Sequence, residues 1–378
     1  MLVEQSSWRT REGWRTGAPR GSATRSLVLA FGSREVLAEA GWMADVRQAW
    51  PLGEVVGCST AGEIADTQVL DGSVVVTAVA FERTEFRIAD VAVHGAGESY
   101  EAGRLLATAL CGPGLVHVLV LSDGLHVNGS ALVAGLADGL PAGVGTSGGL
   151  SGDGDRFAET RVMSRGMLRD QSVVAVGLYS SALRVGCASL GGWDPFGPER
   201  LVTRSEGNVL YEMDGRPCLE LYKTYLGEHA SGLPATALLF PLSVRTAPDE
   251  RPVVRTVLAV DETAGSMTFA GDIPQGAYAR LMRANFDRLI DGAADAARTS
   301  HQPLGEHLPE LALLISCIGR KLVLGQRVEE EVEGVRDVLG PTPVLAGFYS
   351  YGEISPFTPD ARCELHNQTM TITTLSER

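Results

Sequence analysis

The sequence predicts an α/β protein with mixed sheets and packed helices, in two associated halves built from repeated strand-helix-strand units. Three observations support this fold class. Short apolar runs, typical of buried strands, alternate with stretches whose apolar residues recur every three or four positions. This alternation occurs three times along the chain. Each copy ends in a glycine-punctuated turn that carries a hydroxyl and an acid.

Each copy of the repeat begins with an apolar run, and the three runs cover residues 26–31, 115–123 and 311–317. A stretch with one apolar face at helical spacing follows each run. The apolar residues of these stretches are Val36, Leu37, Ala40 and Ala44 in the first copy, Leu132, Val133, Leu136 and Leu140 in the second, and Val328, Val332, Val335 and Leu339 in the third. Each copy therefore predicts a buried strand with a helix packed on it.

The first and third copies end in one shared pattern. Residues 57–64 and 347–354 both read Gly-x-x-(Ser/Thr)-x-Gly-Glu-Ile. The second copy ends at Gly148-Gly-Leu-Ser-Gly-Asp153, which is one residue shorter if its acid aligns with Glu63. The shared pattern indicates that the three turns have related structures.

The stretches between the copies are rich in predicted β-structure. Hairpins are predicted for residues 74–93, 173–190 and 255–269. One helix is predicted after Pro217 and another after Pro274, the second with Tyr278, Leu281 and Leu289 on one face. A run of Gly, Trp and Pro at 191–198 is the best candidate for a domain boundary.

Composition excludes several classes of protein. The 378 residues include 32 basic and 46 acidic side chains, and the net charge of −14 makes nucleic acid an unlikely partner. No run approaches the roughly 18–20 apolar residues of a membrane-spanning helix, so no membrane insertion is expected. The six cysteines form no Cys-x-x-Cys pair and suit a reducing cytoplasm. Residues 1–26 are polar and Arg-bearing, and we expect a disordered N-terminal tail.

Several separated motifs resemble those of the FIST family. Gly57-Cys-Ser-Thr-Ala-Gly-Glu-Ile64 resembles the signature of the FIST N-terminal domain. Gly207-Asn-Val-Leu-Tyr-Glu-Met-Asp-Gly-Arg-Pro217 is similar to the entry of the FIST C-terminal domain, and the ending at 347–354 with Leu365-His-Asn-Gln-Thr369 is similar to its end. The resemblance implies a FIST N-terminal domain over 27–192 and a FIST C-terminal domain over 199–378.

What this resemblance implies is a non-enzymatic sensory protein of bacterial signal transduction. FIST domains are thought to bind small molecules, with amino acids proposed. Because no signalling domain is fused to this chain, a stand-alone FIST protein would act through a separate partner. Some stand-alone relatives are haem-binding nitric-oxide sensors that control a histidine kinase, so haem is a possible cofactor and that kinase a possible partner.

The two Gly-Glu-Ile turns are the predicted ligand site. Backbone amides and the hydroxyls of Ser59, Thr60 and Ser350 suit a carboxylate, while Glu63 and Glu353 suit an ammonium group, so an amino-acid zwitterion fits both. We expect the two turns and the Cys317 to Arg320 segment to line one pocket. The full set of predicted ligand-binding residues is Cys58, Ser59, Thr60, Glu63, Cys317, Arg320, Tyr349, Ser350, Tyr351, Glu353 and Asn367. The alternative is that the glycines only permit tight turns and each Glu caps local structure.

Other predicted site residues have structural alternatives. Tyr349 and Tyr351 are two residues apart and share one face if the chain there is extended. The prediction is that they form aromatic walls of a pocket, and the alternative is that they are core tyrosines whose hydroxyls are hydrogen-bonded. Arg320 lies three residues after Cys317. Its expected role is to contact an anionic ligand or Glu353, or alternatively to lower the pKa of the Cys317 thiol. A strand-end cysteine is more often a small buried hydrophobe.

Two rival functions remain open at this point. A haem-based sensor needs an axial histidine, for which His366 and His229 are the candidates, although each also suits a hydrogen bond within its loop. A hydrolase would use Cys317 or Ser147, the second within Gly145-Thr-Ser-Gly-Gly149. No motif ties a histidine to Cys317, and no catalytic residue or metal site is assigned.

Overall fold

The first repeat and the strand and helix that follow it lie within residues 1–110. The computed structural model describes residues 1–15, 18–233 and 235–377. The strands of this segment are β1 (Leu2–Arg9), β2 (Gly13–Trp14), β3 (Ser26–Gly32), β4 (Gly53–Ser59), β5 (Glu63–Ala65), β6 (Gln68–Leu70), β7 (Val74–Ala80) and β8 (Glu85–Ala92). Its helices are α1 (Arg34–Leu37), α2 (Ala40–Ala49) and α3 (Ser99–Leu110), the last preceded by a 3₁₀ turn, Ala96–Glu98.

The second repeat occupies residues 115–190. Its strands are β9 (Leu115–Ser122), β10 (Gly145–Leu150), β11 (Val162–Ser164), β12 (Met167–Arg169), β13 (Ser172–Tyr179) and β14 (Leu183–Leu190). Helix α4 (Gly129–Gly139) joins its first two strands, and the Asn128 side chain caps it by accepting from Ala131 N at 3.0 Å.

Residues 194–283 form a separate module with its own core. Its strands are β15 (Asp194–Pro195), β16 (Arg200–Glu206), β17 (Val209–Met213), β18 (Arg216–Pro217), β19 (Leu242–Arg245), β20 (Val253–Arg255), β21 (Val257–Asp261), β22 (Ser266–Phe269) and β23 (Tyr278–Arg283). Helix α5 (Cys218–Leu226) packs on them, followed by 3₁₀ turns at Gly227–Gly232 and Ala235–Leu239. Leu210, Tyr222, Met267 and Phe269 are buried in this core.

The third repeat occupies residues 286–377. Helix α6 (Phe286–His301) leads into it through a 3₁₀ turn, Gln302–Leu304. Its further elements are β24 (Leu311–Cys317), α7 (Ile318–Leu324), a 3₁₀ turn (Gly325–Arg327), α8 (Val328–Leu339), β25 (Val344–Ser350), β26 (Gly352–Pro356), β27 (Cys363–His366) and β28 (Met370–Glu377).

The three repeats build three sheets with the same strand order, which gives the molecule pseudo-threefold symmetry. Sheet 1 runs β12-β11-β4-β3-β7-β1-β2, sheet 2 runs β27-β26-β10-β9-β13-β8, and sheet 3 runs β6-β5-β25-β24-β28-β14. At the centre of each sheet lies the one parallel pair of a repeat: β3 with β4, β9 with β10, and β24 with β25. The predicted α/β class and the repeated strand-helix-strand units are therefore confirmed.

Each repeat also passes strands to its neighbours. After β4 the chain leaves sheet 1 and adds β5 and β6 to sheet 3, after β25 it adds β26 and β27 to sheet 2, and after β10 it adds β11 and β12 to sheet 1. The two halves of the chain therefore share their sheets, because β5 pairs with β25 and β26 pairs with β10.

The apolar runs of the sequence are continuous because both faces of each sheet are covered. In β3, Leu27, Leu29 and Phe31 point to the core between the three sheets, while Val28 and Ala30 point to the helices outside. The strands β9 and β24 divide their residues in the same way. A strand with two buried faces cannot show polar alternation.

One glycine recurs at the same place in each repeat. Gly57, Gly148 and Gly347 lie opposite Ala30, Val120 and Leu314 in the parallel pairs. A Cβ at these glycines would lie 1.8, 1.9 and 1.7 Å from the carbonyl oxygen of the opposite residue. The repeated glycine is thus required by close backbone approach.

Several sequence expectations are wrong. The hairpins expected over 74–93 and 173–190 do not form, because β7 and β8 belong to sheets 1 and 2, and β13 and β14 to sheets 2 and 3. The disordered tail expected over residues 1–26 is contradicted at its start, because β1 pairs with β7 from Leu2↔Ala80 to Trp8↔Val74 and so takes the position in sheet 1 that β8 and β14 take in sheets 2 and 3.

The helix expected directly after Pro274 begins later, since Tyr278–Arg283 is strand β23 and α6 begins only at Phe286, after its cap Asn285. The chain passes from β14, which ends at Leu190, into the module, which begins at Asp194, and the domain boundary expected at 191–198 stays a prediction.

Among the described residues, no helix combines the length and apolar character needed to cross a membrane.

Candidate functional site

The three repeat turns meet at one end of the pseudo-threefold axis. Each turn donates a backbone amide to a carbonyl of the next repeat. The three bonds are Ala61 N to Tyr349 O (2.8 Å), Tyr351 N to Leu150 O (3.1 Å) and Gly152 N to Ser59 O (2.9 Å). The symmetry thus extends to individual hydrogen bonds, so residues of the three turns can be compared position by position.

The two Gly-Glu-Ile turns lie side by side, as expected. Strand β5 runs antiparallel to β25, with Glu63 opposite Phe348 and Ile64 opposite Gly347. Tyr349 N also donates to Gly62 O at 2.8 Å. The two turns are therefore joined mainly through their backbones.

Glu63 is a fully buried acid held by two hydroxyls. Thr60 Oγ1 donates to one carboxyl oxygen and Ser73 Oγ to the other, both at 2.6 Å. Burial raises the pKa of Glu63 to about 7, although the two hydroxyl bonds oppose this shift. The carboxyl is therefore close to half protonated near neutral pH.

Glu353 has the same environment in the third repeat. Ser350 Oγ donates to it at 2.7 Å, and Thr369 donates from Oγ1 at 2.9 Å and from its backbone amide at 3.2 Å. Burial raises the pKa of Glu353 to about 8. Ser350 stands where Thr60 stands, three residues before the acid, and Thr369 stands where Ser73 stands.

The two acids do not face one shared cavity, which corrects the expected pocket. Glu63 belongs to a strand of sheet 3 and Glu353 to a strand of sheet 2. A cavity of about 450 Å³ is lined by Glu63 but not by Glu353 or by residues 317–320. Glu63 and Thr60 are the predicted site residues that line it.

This cavity, the Glu63 cleft, is acidic. Glu35, Asp71, Asp153 and Asp155 line it beside Glu63, and Arg156 is the one basic residue among its described lining residues. Arg156 pairs with Glu35 at 2.7 Å. Lys321 lies behind the turn, where it donates to Ala61 O at 2.9 Å and pairs with Asp71. The surplus of carboxylates favours a cationic group.

The symmetry explains why the cleft is open at Glu63 and closed at Glu353. Ser33 N donates to Ser73 O in the first repeat, and Cys317 N donates to Thr369 O in the third. Ser73 and Thr369 are therefore equivalent, and so are the residues that precede them, Gly72 and Gln368. Gly72 has open space around its α-carbon. By contrast, the Gln368 amide lies against Gly319, only 2.4 Å from where a Cβ at Gly319 would sit. The third repeat therefore fills with a side chain the space that the first repeat leaves open.

The second repeat has no acid at the position of Glu63: the three turn bonds align Asp153 with Gly62, and the Asp153 carboxylate holds a loop. This carboxylate accepts from Ala158 N at 3.1 Å and Glu159 N at 2.9 Å, and it also bonds the Tyr351 hydroxyl. The Tyr351 ring stacks on Phe157 with centroids 4.3 Å apart. Tyr351 thus fixes the 153–157 loop, which forms one wall of the Glu63 cleft.

Arg320 forms an internal ion pair and does not contact Glu353. Its guanidinium donates to Glu331 at 2.7 and 3.0 Å and to the carbonyls of Gly191 (2.5 Å) and Leu289 (2.7 Å). The Tyr349 hydroxyl donates to the other Glu331 oxygen at 2.7 Å. These contacts use Arg320 and Tyr349 structurally and correct their predicted place in a ligand pocket. Glu331 was missed, although its spacing from Val328 and Val335 puts it on the apolar face of α8.

The remaining predicted residues are buried and engaged locally. Ser59 Oγ accepts from Arg161 N at 2.8 Å, and Asn367 Nδ2 donates to Tyr351 O at 3.4 Å. Burial raises the pKa values of the Cys58 and Cys317 thiols, so neither is a thiolate at neutral pH. For Cys317 the nearby Arg320 opposes burial but does not overcome it.

Neither histidine candidate fits a haem ligand. His366 is buried, donates from Nε2 to Ser355 O at 2.8 Å and packs edge-on against Phe357. His229 is exposed beside Phe240. An apolar cavity of about 670 Å³ between the module and α7 is lined by Phe157, Leu239 and Val323, but its described lining includes no histidine, cysteine, methionine or tyrosine.

Ser147 does meet a histidine, but in the core. Its hydroxyl lies 2.9 Å from His117 Nε2, and both residues are buried. Burial lowers the pKa of His117 to about 4. His117 borders only an axial void of about 20 Å³, too small to admit a substrate. The pair therefore satisfies two buried polar groups.

Comparison with known proteins identifies the family. The FIST N domain matches residues 26–216 and the FIST C domain matches residues 218–356. The chain therefore belongs to the FIST family, whose domains are associated with sensing in signal transduction. The join between the two matches falls inside the module, after β17.

Two groups of relatives are similar over much of the chain. An uncharacterized protein of Mycobacterium tuberculosis is 27% identical over 88% of this chain and 87% of its own length. An uncharacterized protein of Mycobacterium bovis is 26% identical over 66% and 65%.

Two solved structures overlap with the fold only loosely. PurLQS from Thermotoga maritima covers 84% of this chain and 74% of its own, at 9% identity and a TM-score of 0.22. A cyanuric acid hydrolase from A. caulinodans covers 78% and 99%, at 12% identity and a TM-score of 0.18.

Proposed function

We propose that this protein is a non-enzymatic sensor of bacterial signal transduction that binds a small ammonium-bearing ligand, an amino acid, in the Glu63 cleft. Family membership supports the sensory role. The observation that carries the ligand class is the buried Glu63 carboxyl, which borders an acidic cleft and hydrogen-bonds only to hydroxyls.

A cationic ligand would supply the positive charge that the Glu63 carboxylate lacks. Both hydroxyl bonds come from neutral donors, and Glu63 forms no ion pair within 4 Å among the described residues. A desolvated carboxylate without a cation is unfavourable, which is why burial raises its pKa to about 7. An ammonium group would stabilise the ionised form and take up several acceptor atoms of the cleft.

The opposite wall of the cleft suits the other end of an amino acid. Arg156 pairs with Glu35 at 2.7 Å, and the side chains of both are about half exposed, at 45% and 51%. Because an exposed pair contributes little, the guanidinium can exchange Glu35 for a ligand carboxylate at small cost. A zwitterion would then bridge the first repeat, through Glu63, and the second, through Arg156.

Bridging two repeats gives a route from binding to signalling. Glu63 and Arg156 stand on different repeats, so a ligand bound to both favours the conformation in which these repeats are close. We propose that a separate partner, a histidine kinase or another signalling protein, responds to this shift. Cytoplasmic location remains part of this proposal.

The test is a thermal-shift screen of the twenty amino acids, with ethylammonium as a probe of the ammonium site alone. Glu63→Gln should abolish the stabilisation by any hit. Glu353→Gln is the matched control, because two hydroxyls at equivalent positions, those of Ser350 and Thr369, hold Glu353, which does not line the cleft. If no amino acid stabilises the protein, or if both variants bind equally well, the proposal fails.

The pH dependence of binding gives a second test. An ammonium ligand binds the ionised form of Glu63, so affinity should rise with pH until the pKa of about 7 is passed and then level off. Binding below that pH should release protons. An affinity that falls between pH 6 and 8 would contradict a role for Glu63 as the ammonium acceptor.

The two rival functions receive less support. Neither His366 nor His229 is among the described lining residues of the apolar cavity of about 670 Å³, and no step is assigned to haem. Ser147 and Cys317 are buried, and the Cys317 thiol is kept protonated by burial. Thiol labelling of native protein tests the second rival: rapid labelling of Cys317 at neutral pH would revive the hydrolase.

A further inference from the structure

A second cavity, which shares no described lining residue with the Glu63 cleft, is lined by the buried arginine Arg255. Arg255 ends β20 and is 7% exposed. Its guanidinium donates to backbone carbonyls, from Nη1 to Leu365 O at 2.9 Å and from Nε to Asp272 O at 3.2 Å. Arg255 forms no ion pair within 4 Å among the described residues.

The other buried arginine, Arg320, has the counter-ion that Arg255 lacks in the described part of the chain. Arg320 is also fully buried, but Glu331 neutralises it at 2.7 Å. A buried charge without a counter-ion is costly, and burial lowers the pKa of Arg255 to about 10 even though Asp272 and Glu364 oppose this shift. The protein therefore keeps a desolvated cation whose charge no carboxylate contacts directly.

This cation borders a cavity. The cavity has a volume of about 340 Å³ and is lined by Arg255 and Asp272 of the module and by Ser130 and Glu364 of the three-sheet core. Arg255 Nη2 has no hydrogen-bond partner among the described residues. Ser130, in the first turn of α4, lines the same cavity, and its buried Oγ also has no partner among the described residues. Two residues that line one space therefore each keep a donor without a described partner.

The acids that line the cavity do not occupy these donors. Asp272 accepts from Asn128 Nδ2 at 3.0 Å, and Glu250 accepts from Thr246. Burial raises the pKa of Glu364, which favours its neutral form. Arg251 and Arg362 stand at the rim and add positive charge. An entering anion therefore meets a basic rim and an unpaired guanidinium.

We propose that this cavity is a binding site for a small organic carboxylate, held by Arg255 and Ser130. Carboxylates suit guanidinium donors geometrically, and the volume is within the usual range for small-ligand pockets. The site is independent of the Glu63 cleft, since it draws on different elements and attracts the opposite charge.

The position of the cavity suggests what the ligand does. The module already contacts the core here through Arg255 to Leu365 O and through Asn128 to Asp272. A carboxylate bridging Arg255 and Ser130 would add a third link across the same boundary. The anion would thus favour the conformation in which the module is docked on the core.

The test uses the full-length protein and measures thermal stabilisation by acetate, succinate and inorganic phosphate, each against sodium chloride at equal ionic strength. We expect saturable stabilisation by a carboxylate. Arg255→Lys should weaken it by about tenfold, because an ammonium cannot reproduce the planar donor set. Ser130→Ala, which removes one hydroxyl, should weaken it severalfold. Arg280→Lys, a change in the same module outside the cavity, should leave it unaltered.

Three results would overturn the proposal. One is the absence of a saturable response to both carboxylates beyond that to chloride. Another is an equal response in wild type, Arg255→Lys and Ser130→Ala, which would place binding elsewhere. The third is saturation by phosphate but by neither carboxylate, which would assign a different ligand class. Glu63→Gln must retain the carboxylate response, so that failure of the amino-acid proposal does not affect this one.

Discussion

The backbone amide of Ala61 donates to the carbonyl oxygen of Tyr349 at 2.8 Å, and this bond joins the turn of the first repeat to a strand of the third. Equivalent bonds link the third repeat to the second and the second to the first. The ring makes Glu63 and Glu353 equivalent and aligns Asp153 with Gly62. Different surroundings then distinguish an open cleft at Glu63 from a filled site at Glu353.

The two cradled glutamates should make stability depend on pH. Their pKa values rise from 4.5 to about 7 and about 8, so the folded state holds protons that the unfolded chain releases. This stabilisation is complete below about pH 4.5 and is lost as pH rises through 7 and 8. We expect each carboxyl to lower the unfolding free energy by up to about 1.4 kcal/mol per pH unit in that window.

Denaturant unfolding at several pH values between 5 and 8.5 checks this expectation. Glu353→Gln mimics the protonated acid and should flatten the decline, as should Glu63→Gln. Asp155→Asn, which changes an acid at the rim of the cleft, serves as the control. An unchanged slope in both glutamine variants would show that the carboxyls are already ionised at pH 5.

The buried histidines His117 and His366 should lower the free energy of unfolding as the pH falls below 6.5. Burial lowers the pKa of His117 to about 4 and that of His366 to about 3, from 6.5. Between these values the unfolded chain binds protons that the folded chain excludes, so stability is full above pH 6.5 and is lost as pH falls. The histidines therefore oppose the two glutamates over this range, so their effect is measured against wild type: the stability of His117→Gln relative to wild type should rise as the pH falls from 7 to 5. That of His229→Gln, at an exposed position, should not.

The Arg320–Glu331 pair should be strongly coupled. Removing one partner leaves a buried charge alone, and Arg320→Met or Glu331→Gln is expected to cost about 3–5 kcal/mol. The double variant Arg320→Met/Glu331→Gln should cost less than the sum of the two single changes. Arg327→Ala breaks an exposed pair with Glu330 and should change stability by about 1 kcal/mol or less. Additive costs in a double-mutant cycle would argue against the pair.

The repeated glycine should not tolerate a side chain. A Cβ at Gly347 would lie 1.7 Å from Leu314 O in the centre of sheet 3, so Gly347→Ala should force β24 and β25 apart and greatly reduce soluble yield. Gly97→Ala is the control, because its site has open space. Circular dichroism melts of both variants provide the measurement, and a Gly347→Ala melt like that of wild type would refute the constraint.

Local patterns in the sequence determined the α/β class, the threefold repeat and the pairing of the two Gly-Glu-Ile turns, because hydrophobic periodicity and turn glycines report the needs of each element on its own. They also predicted ligand-binding roles for Glu63 and Thr60, and these roles stay a prediction. The exchange of strands between sheets, the place of β1 in sheet 1 and the separation of Glu63 from Glu353 were decided only by the tertiary structure. The partners that make these features are far apart along the chain, as Arg320 and Gly191 are, or Arg255 and Leu365. Whether a buried charge meets a carboxylate or a cavity depends on which segments pack against it, and periodicity carries no record of that.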